Sequence, residues 1–153
     1  MTTPDTRAHP SLIRRLTAML YDSLLVIALL FVVNGLTLAV VVKATGGEQE
    51  VVAPHLAQAV SALSTVGFFM VFWLKSGQTL GMQAWRIKLV DFNGAPPSAG
   101  RAALRCLGAT LSAACLGLGY LWCLVDRNQR YWHDYLSGTE LILLPKDSRD
   151  KTG

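Results

Sequence analysis

Four ionisable residues are notable for their positions relative to long apolar stretches. Asp22 is the one charged residue in the first such stretch, and Arg15 comes seven residues before it. Arg105 directly precedes the third stretch, and Asp134 follows it. An acid at the centre of a membrane segment costs about 3 kcal/mol, and such acids commonly mark ion or proton sites. The four residues are therefore either a candidate ion or proton site or an ion-pair network that fixes how helices pack.

The spacing of Arg15 and Asp22 bears on which residues they pair with. Seven residues of helix separate the two by about 10.5 Å along the axis, which is too far for a close ion pair. Each is therefore expected to meet another partner, and Arg105 and Asp134 are the available residues of opposite charge.

Other residue types that carry chemistry show no productive spacing. The three cysteines form no C-x-x-C pair and all lie in one apolar stretch, where cysteine behaves as a small hydrophobe. The three histidines are far apart, and the adjacency of His133 and Asp134 is a weak catalytic signal, because geometry makes a dyad. No phosphate loop or nucleophile elbow is present. We expect no enzyme activity, no metal site and no cofactor.

Composition indicates what must position the four charged residues. The 153 residues are 52% hydrophobic and 16% charged, whereas a soluble domain averages about 25% charged. The low charge comes from three windows, Leu16–Val42, Ala57–Leu74 and Cys106–Val125, in which Asp22 is the only charge. This distribution disfavours a soluble globule, a disordered chain and a disulfide scaffold, and predicts a small integral membrane protein.

The first two windows are long enough to cross a bilayer, which requires about 20 apolar residues in a helix. The first exceeds the length of a signal-peptide apolar region and contains an acid, so we predict a retained span. Small residues repeat every four positions in the second window, at Ala57, Ser61 and Thr65, and predict a helix-packing face. Its terminal aromatic residues, including Trp73, are typical of an interfacial belt.

The third window has two alternative paths. Gly117 and Gly119 weaken a helix near its far end, so the segment either crosses once or re-enters on the side it left. Thirteen of the 14 Lys and Arg residues lie before the first window, between residues 75 and 105, or after the third window. The positive-inside rule then places the N-terminus in the cytoplasm and, for an even number of crossings, puts all 13 on that side. Three simple crossings remain the alternative.

Two short strands support an even number of crossings. Trp85–Asp91 alternates apolar and charged residues before an Asn-Gly turn, and Thr139–Leu144 reads as a second strand. They can pair only if both lie on one side of the membrane. The predicted fold is an all-α transmembrane protein with two firm spanning helices, a third apolar segment that spans or re-enters, and a small cytoplasmic strand pair.

The predicted organisation has three parts. Residues 1–15 form a cytoplasmic tail, residues 16–144 form a single membrane domain, and residues 145–153 form a flexible tail. No basic run interleaves with aromatics on a soluble face, so nucleic acid is not expected as a partner. A basic-aromatic cluster that includes Arg130 and Tyr131 is expected instead to anchor the chain at lipid headgroups.

Several motifs resemble the RDD family of small bacterial membrane proteins, named for one arginine and two aspartates. The motifs are Arg14-Arg15-Leu16-Thr17-Ala18-Met19-Leu20-Tyr21-Asp22, Gly77-Gln78-Thr79-Leu80-Gly81-Met82, Arg86-Ile87-Lys88-Leu89-Val90-Asp91, Leu104-Arg105, Gly117-Leu118-Gly119-Tyr120-Leu121-Trp122 and His133-Asp134-Tyr135-Leu136-Ser137-Gly138-Thr139. By this resemblance Arg15 matches the family arginine, Asp22 the first aspartate, and Asp134, in preference to Asp126, the second. Glu140 departs from the family pattern, which has an apolar residue there.

The resemblance implies a multi-span protein of the bacterial inner membrane with a suspected transport role. Our first hypothesis is an ion- or proton-coupled transport protein, or a subunit of one, in which Asp22 titrates. Arg15, Arg105 and Asp134 would tune it. So few spans would need a homo-oligomer or a membrane protein partner. The alternative is a non-transporting scaffold or assembly factor in which the same charges form structural ion pairs.

Overall fold

The computed structural model describes residues 8–127 and 130–145. Helices and one antiparallel strand pair make up the described chain. The helices are α1 (Leu12–Ala44), α2 (Pro54–Ser76), α3 (Leu80–Ala84), α4 (Ala99–Ala114), α5 (Leu118–Leu121), which continues into a 3₁₀ turn (Trp122–Leu124), and α6 (Trp132–Ser137). The strands are β1 (Ile87–Asp91) and β2 (Thr139–Leu143).

The helices α1 and α2 are long and apolar enough to cross a membrane, as predicted. Apolar side chains such as Phe31 and Leu63 are 79% and 73% exposed, as expected for residues that face lipid. The two helices pack together, and Asn34 Nδ2 of α1 donates to Ser61 Oγ of α2 at 3.0 Å. The small-residue stripe on α2 is thus a helix-packing face at this position.

The first helix begins earlier than the predicted span. Its N-terminus is at Leu12, so the last four residues of the predicted 1–15 tail are helical and Arg15 belongs to α1. The first seven residues of that predicted tail, and all of the predicted 145–153 tail except its first residue, lie outside the described residues.

The predicted strand pair is confirmed. β1 and β2 are antiparallel, with Ile87 opposite Leu143 and Asp91 opposite Thr139. The chain before α1 adds to this unit, because Leu143 N donates to the carbonyl oxygen of Ala8 at 2.7 Å. The chain that leads into α1 therefore lies beside the strand pair.

The third apolar segment is bent. An angle of 106° separates α4 from the stretch Leu118–Leu124, which fits either a broken span or a re-entrant loop. Leu116 and Gly117 make the bend with φ angles of 57° and 77°, in the left-handed region that favours glycine. The chain then returns along α4, where Gly119 lies directly against Ser112.

A small core joins the strand pair to the helix ends. It contains Ile87 and Leu89 of β1, Ala18 of α1 and Trp73 of α2, all at most 8% exposed. Trp73, one of the aromatic residues expected in an interfacial belt, is thus buried within the protein. The strand pair covers this end of α2, which the local sequence around Trp73 does not indicate.

Candidate functional site

Asp22 is buried where α1 meets α3, with its side chain 5% exposed. One carboxylate oxygen accepts a hydrogen bond from Thr79 Oγ1, and the other accepts from Gly81 N at 2.9 Å. Thr79 is also the N-cap of α3, and its hydroxyl oxygen accepts from Met82 N at 3.2 Å. Threonine suits this position because its hydroxyl can satisfy a free amide of the first helical turn while donating elsewhere.

Glycine at position 81 allows α3 to approach Asp22 this closely. A Cβ atom there would lie 2.9 Å from Asp22 Cγ and would overlap the carbonyl oxygen of Ala18. The motif Gly77-Gln78-Thr79-Leu80-Gly81-Met82 thus supplies the hydroxyl, the amide and the space that a buried carboxylate at this position requires.

Asp22 is held by neutral donors. In the described residues no Lys, Arg or His nitrogen forms an ion pair with it. The expectation that Arg105 is its partner is wrong. That expectation failed because the return of the chain after α5 brings Asp134 to Arg105, a contact that linear spacing does not reveal.

Arg105 and Asp134 form a buried ion pair between α4 and α6. Arg105 Nη1 donates to Asp134 Oδ1 and, at 2.9 Å, to Thr139 Oγ1 at the start of β2. The two side chains are 5% and 1% exposed. Asp134 Oδ2 accepts in turn from Tyr131 N at 2.7 Å and so caps α6. Both oxygens of this carboxylate are therefore occupied, and the pair ties α4, α6 and β2 together.

Arg15 lies at the same end of the molecule and is 3% exposed. Its Nε donates to the carbonyl oxygen of Pro10 at 3.0 Å, and its guanidinium lies over the ring of Tyr131 at 5.1 Å. Burial raises the pKa of the Tyr131 phenol to about 12. The phenol therefore stays neutral at physiological pH, and Arg15 faces an aromatic ring there.

His133 completes the cluster and is 3% exposed. Its ring stacks on Tyr131 with centroids 5.0 Å apart, and a Cβ at Gly108 of α4 would lie 2.8 Å from its Cβ. Burial and the nearby Arg105 charge lower the pKa of His133 to about 3. The imidazole is thus neutral at physiological pH.

A cavity of about 380 Å³ connects these groups. Asp22, Arg15 and Arg105 line it, together with His133. Asp134 is not among the lining residues, and it bonds two residues that are, Arg105 and Tyr131. Three of the four residues expected from the sequence therefore share a cavity, and the fourth neutralises one of them.

The sequence analysis missed Thr79, Trp73 and Tyr131, which also line the cavity. Thr79 had a detectable signal, since a threonine directly before an apolar residue such as Leu80 fits the N-cap pattern. Trp73 and Tyr131 had none, because their burial depends on how the chain folds back over α2 and α4.

A second ion pair, partly buried, was also missed. Arg130 Nε donates to Glu140 Oε2 at 3.0 Å, and the Arg130 guanidinium lies 4.3 Å from the ring centre of Phe92. Glu140 is 1% exposed and Tyr131 is 2% exposed. The expectation that Arg130 and Tyr131 anchor the chain at headgroups is therefore wrong for Tyr131, and Arg130 serves to neutralise Glu140.

No group of three or more metal-ligating side chains occurs in the part of the chain that the structure describes. The three cysteines are free thiols, and Cys106 lines the cavity.

The sequence model of the RDD family matches residues 9–138. That range includes Arg15, Asp22, Arg105 and Asp134. No curated protein and no solved structure matches the chain.

Proposed function

The chain belongs to the RDD family, and on that premise we propose that this membrane protein is an ion- or proton-coupled transport protein, or a subunit of one, in which Asp22 exchanges a proton or cation. The observation that carries the proposal is that Asp22 lines a cavity between the membrane helices with neutral hydrogen-bond donors as its partners. A buried carboxylate that has no fixed positive partner is suited to bind a mobile proton or cation.

The arrangement around Asp22 supports reversible loading. Thr79 Oγ1 can act as donor or acceptor, so it can bond either form of the carboxyl group. Arg105 is neutralised by Asp134, and the Arg15 guanidinium lies over the ring of Tyr131. Both guanidinium groups line the cavity and would tune its electrostatic potential.

We also propose the topology that the sequence predicts, with the N-terminus and the strand pair in the cytoplasm of a bacterial cell and a re-entrant third segment. The distribution of 13 of 14 cations and the pairing of β1 with β2 support it. Two spans and a re-entrant segment are few for a closed pathway. We therefore propose that transport requires a homo-oligomer or a membrane protein partner.

A scaffold or assembly role is the second candidate, and one observation favours it. The Arg105–Asp134 pair is fully enclosed and holds α4 against α6 and β2, which is what a structural ion pair does. In this alternative the Asp22 contacts serve only to attach α3 to α1.

Reconstitution into liposomes tests the two candidates. Wild type, Asp22→Asn and the control Glu50→Gln, an exposed acid after α1, are assayed for proton movement driven by gradients of monovalent cations. We expect flux in wild type and in Glu50→Gln, and none in Asp22→Asn. Absence of flux in correctly folded wild type would refute transport by this chain and by its homo-oligomer, whereas flux lost only in Asp22→Asn would refute the scaffold.

Reporter fusions test the topology. A fusion after Pro145 is expected to report the cytoplasm, and one inserted after Gly47, between the two spans, the outer face. A fusion at Pro145 that reports the outer face would support three simple crossings.

A further inference from the structure

The cavity, called the slot below, is lined mainly by α1, α2 and α4, and the residues toward its two ends along α4 differ in character. Along α4 it extends from Arg105 to Ala113, which corresponds to about 12 Å of helix. Arg105, Trp73 and His133 lie at the end near the strand pair. Ala109 and Ala113 of α4 and Val66 of α2 line the other end. The hydroxyl groups of Thr65, Thr110 and Tyr120, which also line the slot, donate to backbone carbonyl oxygens. The slot therefore has a polar end near the strand pair and an uncharged, mostly apolar end away from it.

Two buried nitrogen atoms at the polar end lack a hydrogen-bond partner in the described protein. They are Nε1 of Trp73, whose side chain is 8% exposed, and Nδ1 of His133, which is 3% exposed. An unsatisfied buried polar atom costs about 1–3 kcal/mol, and native structures contain few of them. Two beside one cavity indicate a group that binds there.

The chemistry of these atoms specifies the group. The indole N–H of tryptophan is only a donor, so its partner must be an acceptor. Neutral His133 donates from one ring nitrogen and accepts at the other, so Nδ1 can serve the same ligand. The Arg105 guanidinium, which Asp134 neutralises, lies 5.5 Å from the Trp73 ring centre, so this end of the slot is polar. One acceptor oxygen at this end satisfies both unpartnered nitrogen atoms.

The remainder of the slot suits an apolar chain. Its volume of about 380 Å³ falls within the range of about 300–1,000 Å³ typical of small-molecule sites. It is more than twice the roughly 150 Å³ of an engineered apolar cavity that binds benzene. Apolar walls do not hold water well, so the end near Ala113 favours hydrocarbon.

We infer that the slot binds a single acyl chain whose carboxyl oxygen accepts from Trp73 Nε1 and contacts His133, with the chain between α2 and α4. The ligand is a free fatty acid or the ester end of a phospholipid chain, since both present an acceptor oxygen on a hydrocarbon tail. This inference does not require Asp22 to titrate. It can therefore be tested independently of the proposed transport function.

Tryptophan quenching by brominated lipids tests the site. The reporter protein carries Trp85→Phe, Trp122→Phe and Trp132→Phe, which leave Trp73 as the only tryptophan, and is placed in nanodiscs. Brominated fatty acid is added in one arm, and brominated-chain phospholipid forms the nanodisc in the other. We expect saturable quenching of Trp73 in at least one arm, and the arm identifies the source of the chain.

A blocking variant and a matched control separate the slot from general lipid contact. Ala109→Phe fills the slot. Leu107→Phe places the same ring elsewhere on α4, at a residue that is 66% exposed. Ala109→Phe is expected to remove most of the quenching, and Leu107→Phe to leave it unchanged. Equal quenching in both variants, each monodisperse by gel filtration, would overturn the inference.

Competition tests recognition of the oxygen and remains informative if Ala109→Phe does not fold. Unbrominated fatty acid is expected to displace the quencher at about tenfold lower concentration than an alkane of equal length. His133→Phe, or the milder His133→Gln, is expected to reduce that preference. An acid and an alkane that compete equally in the reporter protein would overturn the inference.

Discussion

Asp22 and Asp134 are two buried acids within the range of the family match, 5% and 1% exposed, yet they are held in different ways. Asp134 is held by the Arg105 guanidinium and by the amide of Tyr131. Asp22 is held by the Thr79 hydroxyl and the amide of Gly81. Asp134 therefore has a positively charged partner, whereas the hydrogen-bond donors to Asp22 are neutral groups.

This difference predicts a structural role for Asp134 and a chemical role for Asp22. Removing one member of a buried ion pair leaves the other charge without compensation, which is strongly destabilising. Removing the charge of Asp22 leaves no buried charge without compensation. The Asp134 region should therefore dominate stability, and the Asp22 region should tolerate a change of charge that alters activity.

Loss of the Arg105 side chain should have the largest effect. In Arg105→Met, Asp134 remains buried without a cation, and we expect the free energy of unfolding to fall by about 3–5 kcal/mol. Denaturant titration in detergent micelles, followed by tryptophan fluorescence, measures it. Arg101→Met is the control, because its pair with Asp91 at 2.7 Å is 41% exposed on the arginine side and should contribute at most about 1 kcal/mol. Equal losses of unfolding free energy in Arg105→Met and Arg101→Met would contradict the predicted difference between the buried and the exposed ion pair.

Packing around Asp22 should give the next effect. The methyl group of Gly81→Ala overlaps Ala18 O and Asp22, so α3 must move away, at a cost of about 1–3 kcal/mol. Gly100→Ala on α4 is the control, since a Cβ there meets nothing within 4 Å. The same titration compares them, and a Gly81→Ala protein as stable as Gly100→Ala would show that Asp22 and α3 are not packed closely.

Acid should destabilise the Asp134 region through His133. Its folded pKa of about 3 lies below the ordinary value of 6.5, so between these values the unfolded chain binds a proton that the folded chain excludes. Stability is complete above about pH 6.5 and falls as the pH drops, with a limiting slope of about 1.4 kcal/mol per pH unit. Unfolding titrations from pH 7 to 5 should show a shallower slope in His133→Gln than in His55→Gln, which changes an exposed histidine. Identical slopes would contradict the burial of a neutral imidazole.

Removal of a single hydroxyl should give the smallest effect. Thr79→Val deletes the donor to Asp22 and the N-cap of α3, and we expect a loss of about 1 kcal/mol. Thr110→Val is the matched control, because its exposed hydroxyl bonds only to Cys106 O within α4. A loss no larger than in Thr110→Val would mean that the Thr79 contact adds nothing to stability.

Much of the architecture was predictable from local pattern. The lengths of the apolar windows predicted α1 and α2, and alternation of apolar and charged residues predicted β1 and its pairing with β2. These features depend on near neighbours in the chain, since a membrane helix needs only its own length and hydrophobicity. The motifs also located Arg15, Asp22, Arg105 and Asp134, and the family match includes all four.

The partners of those residues were decided by the tertiary structure. Arg105 pairs with Asp134 because the bend at Leu116 and Gly117 turns the chain back along α4, and Glu140 is buried because Arg130 is brought beside it. Trp73 is buried because β1 and its neighbours cover that end of α2. The sequence by itself thus determined which segments suit a membrane and which charges lie near them. Only the fold decided which charges meet, because an ion pair depends on separations of a few ångströms between residues that here lie 10 and 29 positions apart.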